Sequence, residues 1–312
     1  MSRLRTLLDD RQSVLLMGIL NRTPDSFSDG GRFVDEAAAI VQIERLVAEG
    51  ADIVDVGAES TRPGAPPIAE AEQIARLGGA VREAARRGAI VSIDTTSPVV
   101  AEWALGEGAT VVNSVALEPA RELGALAARF GATLVLMHCR GRMTDMAGFS
   151  VYDDTAYGDV VADVAREWRA AANRALGAGL PPSELVLDPG LGYAKNARHS
   201  LELCARLHEL CALGFPVLAG PSRKSFLVAQ GGGAAPANRL GGTIAAALEC
   251  AARGAAILRV HDVAEVRQAL SVSEAIAAVD GGVAESVVRK AQRCSDRSEQ
   301  PGGSHLGEER HG

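Results

Sequence analysis

Four residues stand where short apolar runs end. Asp94 follows AIVSI, Asn113 follows TVV, Asp188 follows LVL, and Lys224 lies in SRKSF. A carboxylate accepts two adjacent N–H groups, an amide donates and accepts at once, and an ammonium donates to a ring carbonyl or nitrogen. One pocket lined by this set suits a guanine-like or pterin-like edge. A second group, Arg62, Arg259 and His261, brings fork-shaped donors of the kind that hold phosphate. Arg259 and His261 alternate along a strand pattern, so they share a face. Asn21, with Asp25 and Asp55 near, offers oxygens to Mg²⁺. No dense carboxylate cage or HxxxH pair is present, so such a metal would ride mainly on a diphosphate. Plainer readings exist. Asp94 before Thr-Thr-Ser-Pro and Asp188 before Pro-Gly also suit helix N-caps, and a lone histidine is often structural. Nucleophilic catalysis has little support: there is no GxSxG, and Cys139 beside His138 in sequence is not the geometry of a dyad. Lys224 as a Schiff-base lysine stays open, with nothing that prefers it over hydrogen bonding.

Those residues need elements to position them. Apolar runs at 14–20, 52–57, 89–94, 110–113, 133–137, 185–188, 216–219 and 255–260 read as strands. Helical patterns fall near 35–49, 69–87, 98–107, 117–130, 157–178, 198–213, 237–253 and 263–278. Eight strand–helix repeats with continuously apolar strands predict an α/β fold, a single (β/α)₈ TIM barrel with its active site at the C-terminal rim. A doubly wound open sheet is the competing layout, but the first strand runs into NRTPDSFSDGG rather than a GxGxxG turn. Every predicted strand ends on a polar group: Asn21, Asp55, Asp94, Asn113, His138, Asp188, Ser222-Arg223-Lys224, then Arg259 and His261. Long connections at 21–34, 58–68 and 139–156 all fall on that rim, where loops bind or cover ligands.

Composition sets the frame. The 312 residues divide into a lead at 1–13, a barrel at 14–282 and a C-terminal tail at 283–312 that is expected to be disordered. Hydrophobic residues are 47% and charged residues 23%, as in a globular protein. A net charge of −7 argues against a broad nucleic-acid or anionic-membrane surface, so an anionic ligand must meet a few placed cations. Five cysteines without a CxxC fit a reducing, cytoplasmic setting. No apolar run is long enough for a membrane span. Lysines number three, Lys195, Lys224 and Lys290, against a background of arginine.

The strings GILNRTPDSFSDGG, DIVDVGAESTRPGA, SIDT, VVN, LMHCRG, LVLDPGLGYAKN, SRKSF and RVHDV, in this order over about 14–280, resemble the dihydropteroate synthase family, the sulfonamide targets of folate biosynthesis. The resemblance implies a transferase that joins (7,8-dihydropterin-6-yl)methyl diphosphate to 4-aminobenzoate, releasing diphosphate by an SN1-like path assisted by Mg²⁺. It also implies a cytoplasmic homodimer whose ligands are small molecules. Asp94, Asn113, Asp188 and Lys224 match the pterin pocket. Asn21 matches the metal contact, and Asn21, Arg62, Arg259 and His261 match the diphosphate binders. Thr61, Arg62, Pro63 and Ser225, with Thr23 and Phe27, match the aminobenzoate region and the mobile loops 22–33 and 58–68. Asp55 matches a site-lining carboxylate and joins Asp94, Asp188, Lys224, Arg259 and His261 as the implied catalytic set. The sequence departs from the family pattern at Arg22, Ala58, Ser97, Ser114 and Met143, and Ser114 stands where a carboxylate near the pterin pocket is usual. Two alternatives follow: a pterin-binding paralogue without synthase activity, and a methyltetrahydrofolate:corrinoid methyltransferase. The latter class has little use for the cluster Arg62, Arg259 and His261.

Overall fold

Eight parallel strands, β1 (Leu15–Asn21), β2 (Ile53–Gly57), β3 (Ile90–Asp94), β4 (Val111–Ser114), β5 (Thr133–Met137), β6 (Leu185–Asp188), β7 (Leu218–Ala219) and β8 (Ile257–Val260), form one sheet in this computed structural model. Their order is β6-β5-β4-β3-β2-β1-β8-β7. A parallel bridge from Leu187 to Val217 joins the two ends, so the barrel is nearly closed. The structure describes residues 2–10, 13–21, 32–59, 68–141, 146, 151–228 and 235–279. They fall in two units, Met1–Leu270 and Ser271–Gly312. Of the second, residues 271–279 are described and are helical. The whole predicted tail, 283–312, lies outside the described residues, and so do Arg22, Thr23, Phe27, Thr61, Arg62, Pro63 and Met143.

The helices are α1 (Arg3–Asp10), α2 (Arg32–Ala48), α3 (Glu70–Leu77), α4 (Ala80–Arg86), α5 (Pro98–Gly106), α6 (Ala120–Phe130), α7 (Val160–Gly177), α8 (Ala197–Ala205), α9 (Leu207–Cys211) and α10 (Leu240–Ala252). Residues 263–270 are also helical. The pattern at 69–87 is divided at Gly78-Gly79, where glycine interrupts the helix, and the pattern at 198–213 is divided at Arg206. Period-two alternation decides which strand residues meet helices and which fill the barrel. Leu16, Val54, Val91, Val112, Leu134 and Leu187 join the outer core with the helices, as does Trp168 of α7, whose indole N–H donates to Leu136 O at 2.9 Å.

The alternate residues fill the lower barrel. Met17, Ile53, Ile90, Val111, Val135, Val186, Leu218 and Ile257 form one apolar cluster together with Leu4 and Leu8. Leu4 and Leu8, one helical turn apart, carry the lead into the structure as a plug: α1 closes the N-terminal end of the barrel. Ser2 fixes that plug. Its hydroxyl donates to Glu184 Oε2 at 2.6 Å, and its backbone N–H donates to Glu184 Oε1 at 2.8 Å. Thr133 supplies a further bond to the same carboxylate at 2.8 Å.

Candidate active site

Continuing the same alternation upward turns apolar filling into polar lining. Two residues beyond Met17 stands Ile19, and two more bring Asn21. Asn113 follows Val111, Asp188 follows Val186, Arg259 follows Ile257, and His261 comes next. Asn21, Asn113, Asp188, Lys224, Ser225, Arg259 and His261 all line one cavity of about 820 Å³. So the predicted residues of four strands, β1, β4, β6 and β8, and the SRKSF turn converge.

Arg259 organises the floor of this cavity. Its Nε donates to Asp55 Oδ2 at 2.7 Å and its Nη2 to Asp94 Oδ2 at 2.8 Å. Asn113 Nδ2 donates to Asp55 Oδ2 at 3.1 Å. Asp55, expected at the end of its strand and lining the site, is instead a mid-strand residue, fully buried and paired in register with Ile19 and Ser92. It lies two residues short of the strand's end, and the Arg259 guanidinium stands between it and the cavity. Asp94 does end β3, but it caps no helix; Ser97 caps α5 by accepting from Val100 N at 3.3 Å. Asp94 Oδ1 and Asp55 Oδ1 are buried with no hydrogen-bond partner among the described residues. Burial drives the Asp94 carboxyl upward, to about 7, while the Arg259 guanidinium pulls the other way.

On the β6 side, Asp188 Oδ1 accepts the Gly190 backbone N–H at 2.7 Å, which makes a local turn, and burial raises its carboxyl. Gly190 has φ 66°, and a Cβ there would stand 2.0 Å from the His138 carbonyl oxygen, so only glycine allows this approach. Lys224 Nζ donates to Leu191 O at 2.6 Å and sits 4.5 Å from the centre of the Tyr193 ring. Burial lowers its ammonium to about 8, although Asp188 favours the charged form. His261 Nδ1 lies 2.9 Å from Ser222 Oγ, which also accepts the His261 backbone N–H at 3.1 Å. Burial, then the Arg259 and Arg223 cations, holds this imidazole down to about 4, so it is neutral near pH 7.

His138 departs from the expected pattern. It follows Met137, which faces the cavity, so it points to the opposite side of the sheet, fully buried and 2.9 Å from Glu167 of α7. Ser114 is likewise out of phase with Asn113. Its hydroxyl donates to Ala116 O at 2.9 Å and it lines no part of the cavity, so the missing carboxylate is not taken from the cavity wall. Sequence reasoning gave no role to Met137, Tyr193 or Arg239, which all line the cavity. Alternation from Thr133 and Val135 signals Met137. Tyr193 lies within the quoted GLGYAKN string, and Arg239, next to the flexible-looking 230–236 stretch, carried no signal.

Metal fit can be tested at Gly57. A Cβ there would lie 3.6 Å from Asn21 Oδ1 and 3.7 Å from Asp94 Oδ2, so glycine keeps the space between these two oxygens open. Among the described residues no group of three or more His, Cys, Asp or Glu could hold a metal ion. A neutral amide oxygen beside open space fits a hard cation that takes most of its oxygens from phosphate and water. No described helix is long and apolar enough to cross a membrane.

A polar, cation-bearing cavity at the C-terminal rim of a barrel defines an enzyme of the barrel class. The profile of the pterin binding enzyme family matches residues 17–261. The chain is 40% identical over 276 residues to the dihydropteroate synthase of a Synechocystis strain, covering 87% of this chain and 93% of that one. Among solved structures it is similar to Xanthomonas albilineans dihydropteroate synthase with 4-aminobenzoic acid, at TM-score 0.78 and 38% identity, covering 86% of this chain and 94% of the other. A second structure from that organism, in complex with 7,8-dihydropteroate, gives TM-score 0.73 and 33% identity over the same shares, 86% and 94%. The chain belongs to the pterin binding enzyme family, among its dihydropteroate synthases.

Proposed function

We propose that the chain joins (7,8-dihydropterin-6-yl)methyl diphosphate to 4-aminobenzoate, giving 7,8-dihydropteroate and diphosphate. The observation that carries this is the convergence of Asn113, Asp188 and Lys224 with Arg259 and His261 around one cavity. A carboxylate, an amide and an ammonium match the amino, ring N–H and carbonyl groups of a pterin edge. Asp94, with its partnerless Oδ1, belongs to the same set. Arg259 and His261, with Asn21, take the diphosphate. His261 serves as a neutral donor: with Ser222 satisfying Nδ1, the Nε2–H is the one left for a phosphate oxygen. Arg62, Thr61, Pro63, Thr23 and Phe27 are assigned through the family resemblance, and Ser225 sits on the cavity wall beside Lys224.

In the reaction, the bond from the pterin methylene to the diphosphate oxygen breaks and the arylamine nitrogen bonds to that methylene. The electron-rich dihydropterin carries the positive charge that develops, which makes the path SN1-like. Arg259 stabilises the departing diphosphate by charge and His261 by hydrogen bonding. When bound, Mg²⁺ supplies charge neutralisation at the diphosphate, with Asn21 Oδ1 as its protein oxygen. The anilinium formed is acidic and loses its proton without a dedicated base.

Purified protein with Mg²⁺ and both substrates should release diphosphate and form dihydropteroate in equal amounts. Saturable pterin binding without product would reject the synthase reading in favour of the paralogue. The homodimer and the cytoplasmic location belong to this proposal through the resemblance; sedimentation equilibrium tests the former.

A further inference from the structure

The mechanism leaves one buried cluster unused. Lys195 is fully buried, yet no carboxylate lies within ion-pairing distance of it among the described residues. Its Nζ donates to His138 Nδ1 at 3.0 Å, to His138 O at 3.3 Å and to Tyr193 O at 3.0 Å. With Nζ as the donor, Nδ1 accepts and the imidazole proton sits on Nε2. There it donates to Glu167 Oε2 at 2.9 Å. Arg140 Nε holds the same carboxylate oxygen at 3.0 Å, and its guanidinium stacks 3.8 Å from the Tyr157 ring centre. The Tyr157 hydroxyl donates to Ala194 O at 2.9 Å. Both ends of this chain, Lys195 and the Ala194 carbonyl, lie on one short segment, the Gly190–Asn196 loop after β6.

That loop is costly to hold. Gly190, Gly192 and Ala194 all have positive φ, at 66°, 81° and 48°, and Ala194 lacks the freedom of glycine. Burying an amine without a carboxylate is also costly in its charged form, and burial lowers Lys195 to about 7. The return for both is on the other face. Leu191 O accepts Lys224 Nζ and the Tyr193 ring packs on it. We propose that Lys195, braced by His138 and Glu167 outside the barrel wall, is a positioning residue that fixes Tyr193 and Leu191 and thereby places Lys224 for the pterin substrate. This rests on the synthase reading for its kinetic consequence, but not for its structural one.

Two measurements test it. Lys195→Met should raise KM for the dihydropterin diphosphate about tenfold and change kcat less than about threefold. In a Tyr193→Ala background the same substitution should add about threefold rather than tenfold, because part of its effect passes through the Tyr193 ring and the rest through the Leu191 carbonyl. Amide hydrogen exchange of the Gly190–Asn196 peptide should accelerate about tenfold, while exchange in β5 and β6 stays put. Glu167→Gln removes only the charge at the half-exposed end of the chain and should move both readouts in the same direction, by about threefold. That variant decides the matter if Lys195→Met does not fold. Additive KM effects in the double variant, or unchanged exchange in the loop, would overturn the proposal. A wild-type protein that fails to turn over would count against the synthase reading, while the exchange result still judges Lys195.

Discussion

The two ends of one barrel treat polar atoms in opposite ways. At the N-terminal end Ser2, Thr133 and Glu184 close a small network in which both carboxylate oxygens are bonded, beneath an apolar cluster built around Leu4 and Leu8. At the C-terminal end Asp94 Oδ1 is buried with no hydrogen-bond partner among the described residues, and one layer deeper so are Asp55 Oδ1 and Ser92 Oγ. Lys224 and His261 are held away from their ordinary protonation ranges there. A buried polar atom left unpaired costs about 1–3 kcal/mol. The closed end spends its residues on stability. The open end carries a standing cost that a ligand edge can offset, and this separates function from packing within the same eight strands.

The sharpest way to break that contrast is to remove the cation between the two buried carboxylates. Arg259→Ala leaves Asp94 without its cation and Asp55 with only the Asn113 amide, and should lower stability by about 3–5 kcal/mol. Its kcat/KM for the diphosphate substrate should fall by about 100-fold. Thermal unfolding and steady-state kinetics measure the two effects. A variant that loses activity and keeps its stability would mean that Arg259 serves the ligand alone. The closed end should behave in the opposite manner. Leu4→Ala opens a cavity under α1 and should cost about 3 kcal/mol of stability, with kcat/KM per folded molecule unchanged. A kinetic effect from that position would show that the two ends are coupled.

Much of this division was legible beforehand, and each exception has a physical cause. Strand positions followed from apolar runs, so the eight-strand count and the rim site held. Which side chains enter the barrel depends on phase, and phase is a matter of single residues. His138 and Ser114 are polar and stand at strand ends like Asp188 and Asn113, yet one step along the strand sends them to the other face. Asp55 has the right phase but lies one layer too deep. The Lys195 chain was not legible at all. It joins a strand end, a loop and α7, and no sequence spacing encodes contacts across 57 residues. The plug formed by α1 was missed because eight residues with three leucines give too short a pattern to separate a helix from a lead.

Smaller effects refine the open end. Asp188→Asn keeps an oxygen for the Gly190 N–H, so the turn should persist and unfolding should be little changed. The lost charge should weaken pterin binding by about 2 kcal/mol, roughly 30-fold. Wild-type affinity by titration calorimetry would remove Asp188 from the pocket.

The finest test is pH. Burial lowers the Lys224 ammonium to about 8, so the residue is a charged donor below that value and a neutral amine above it. Deprotonation weakens its bond to a pterin oxygen or nitrogen and its contact with the Tyr193 ring. Affinity for the pterin substrate should therefore decline by about tenfold as pH rises from about 7 to about 10. The His261 imidazole, held down to about 4, stays neutral over that range and cannot produce the decline. Asp94, raised to about 7, works in the other direction: it gains charge as pH rises, which favours a ligand N–H, so it cannot produce a decline either. The alkaline limb thus belongs to Lys224. Lys224→Met should show weak binding at neutral pH and lose that limb. A limb that survives the substitution would transfer the titration to another group and leave Lys224 a structural clamp on the Leu191 carbonyl.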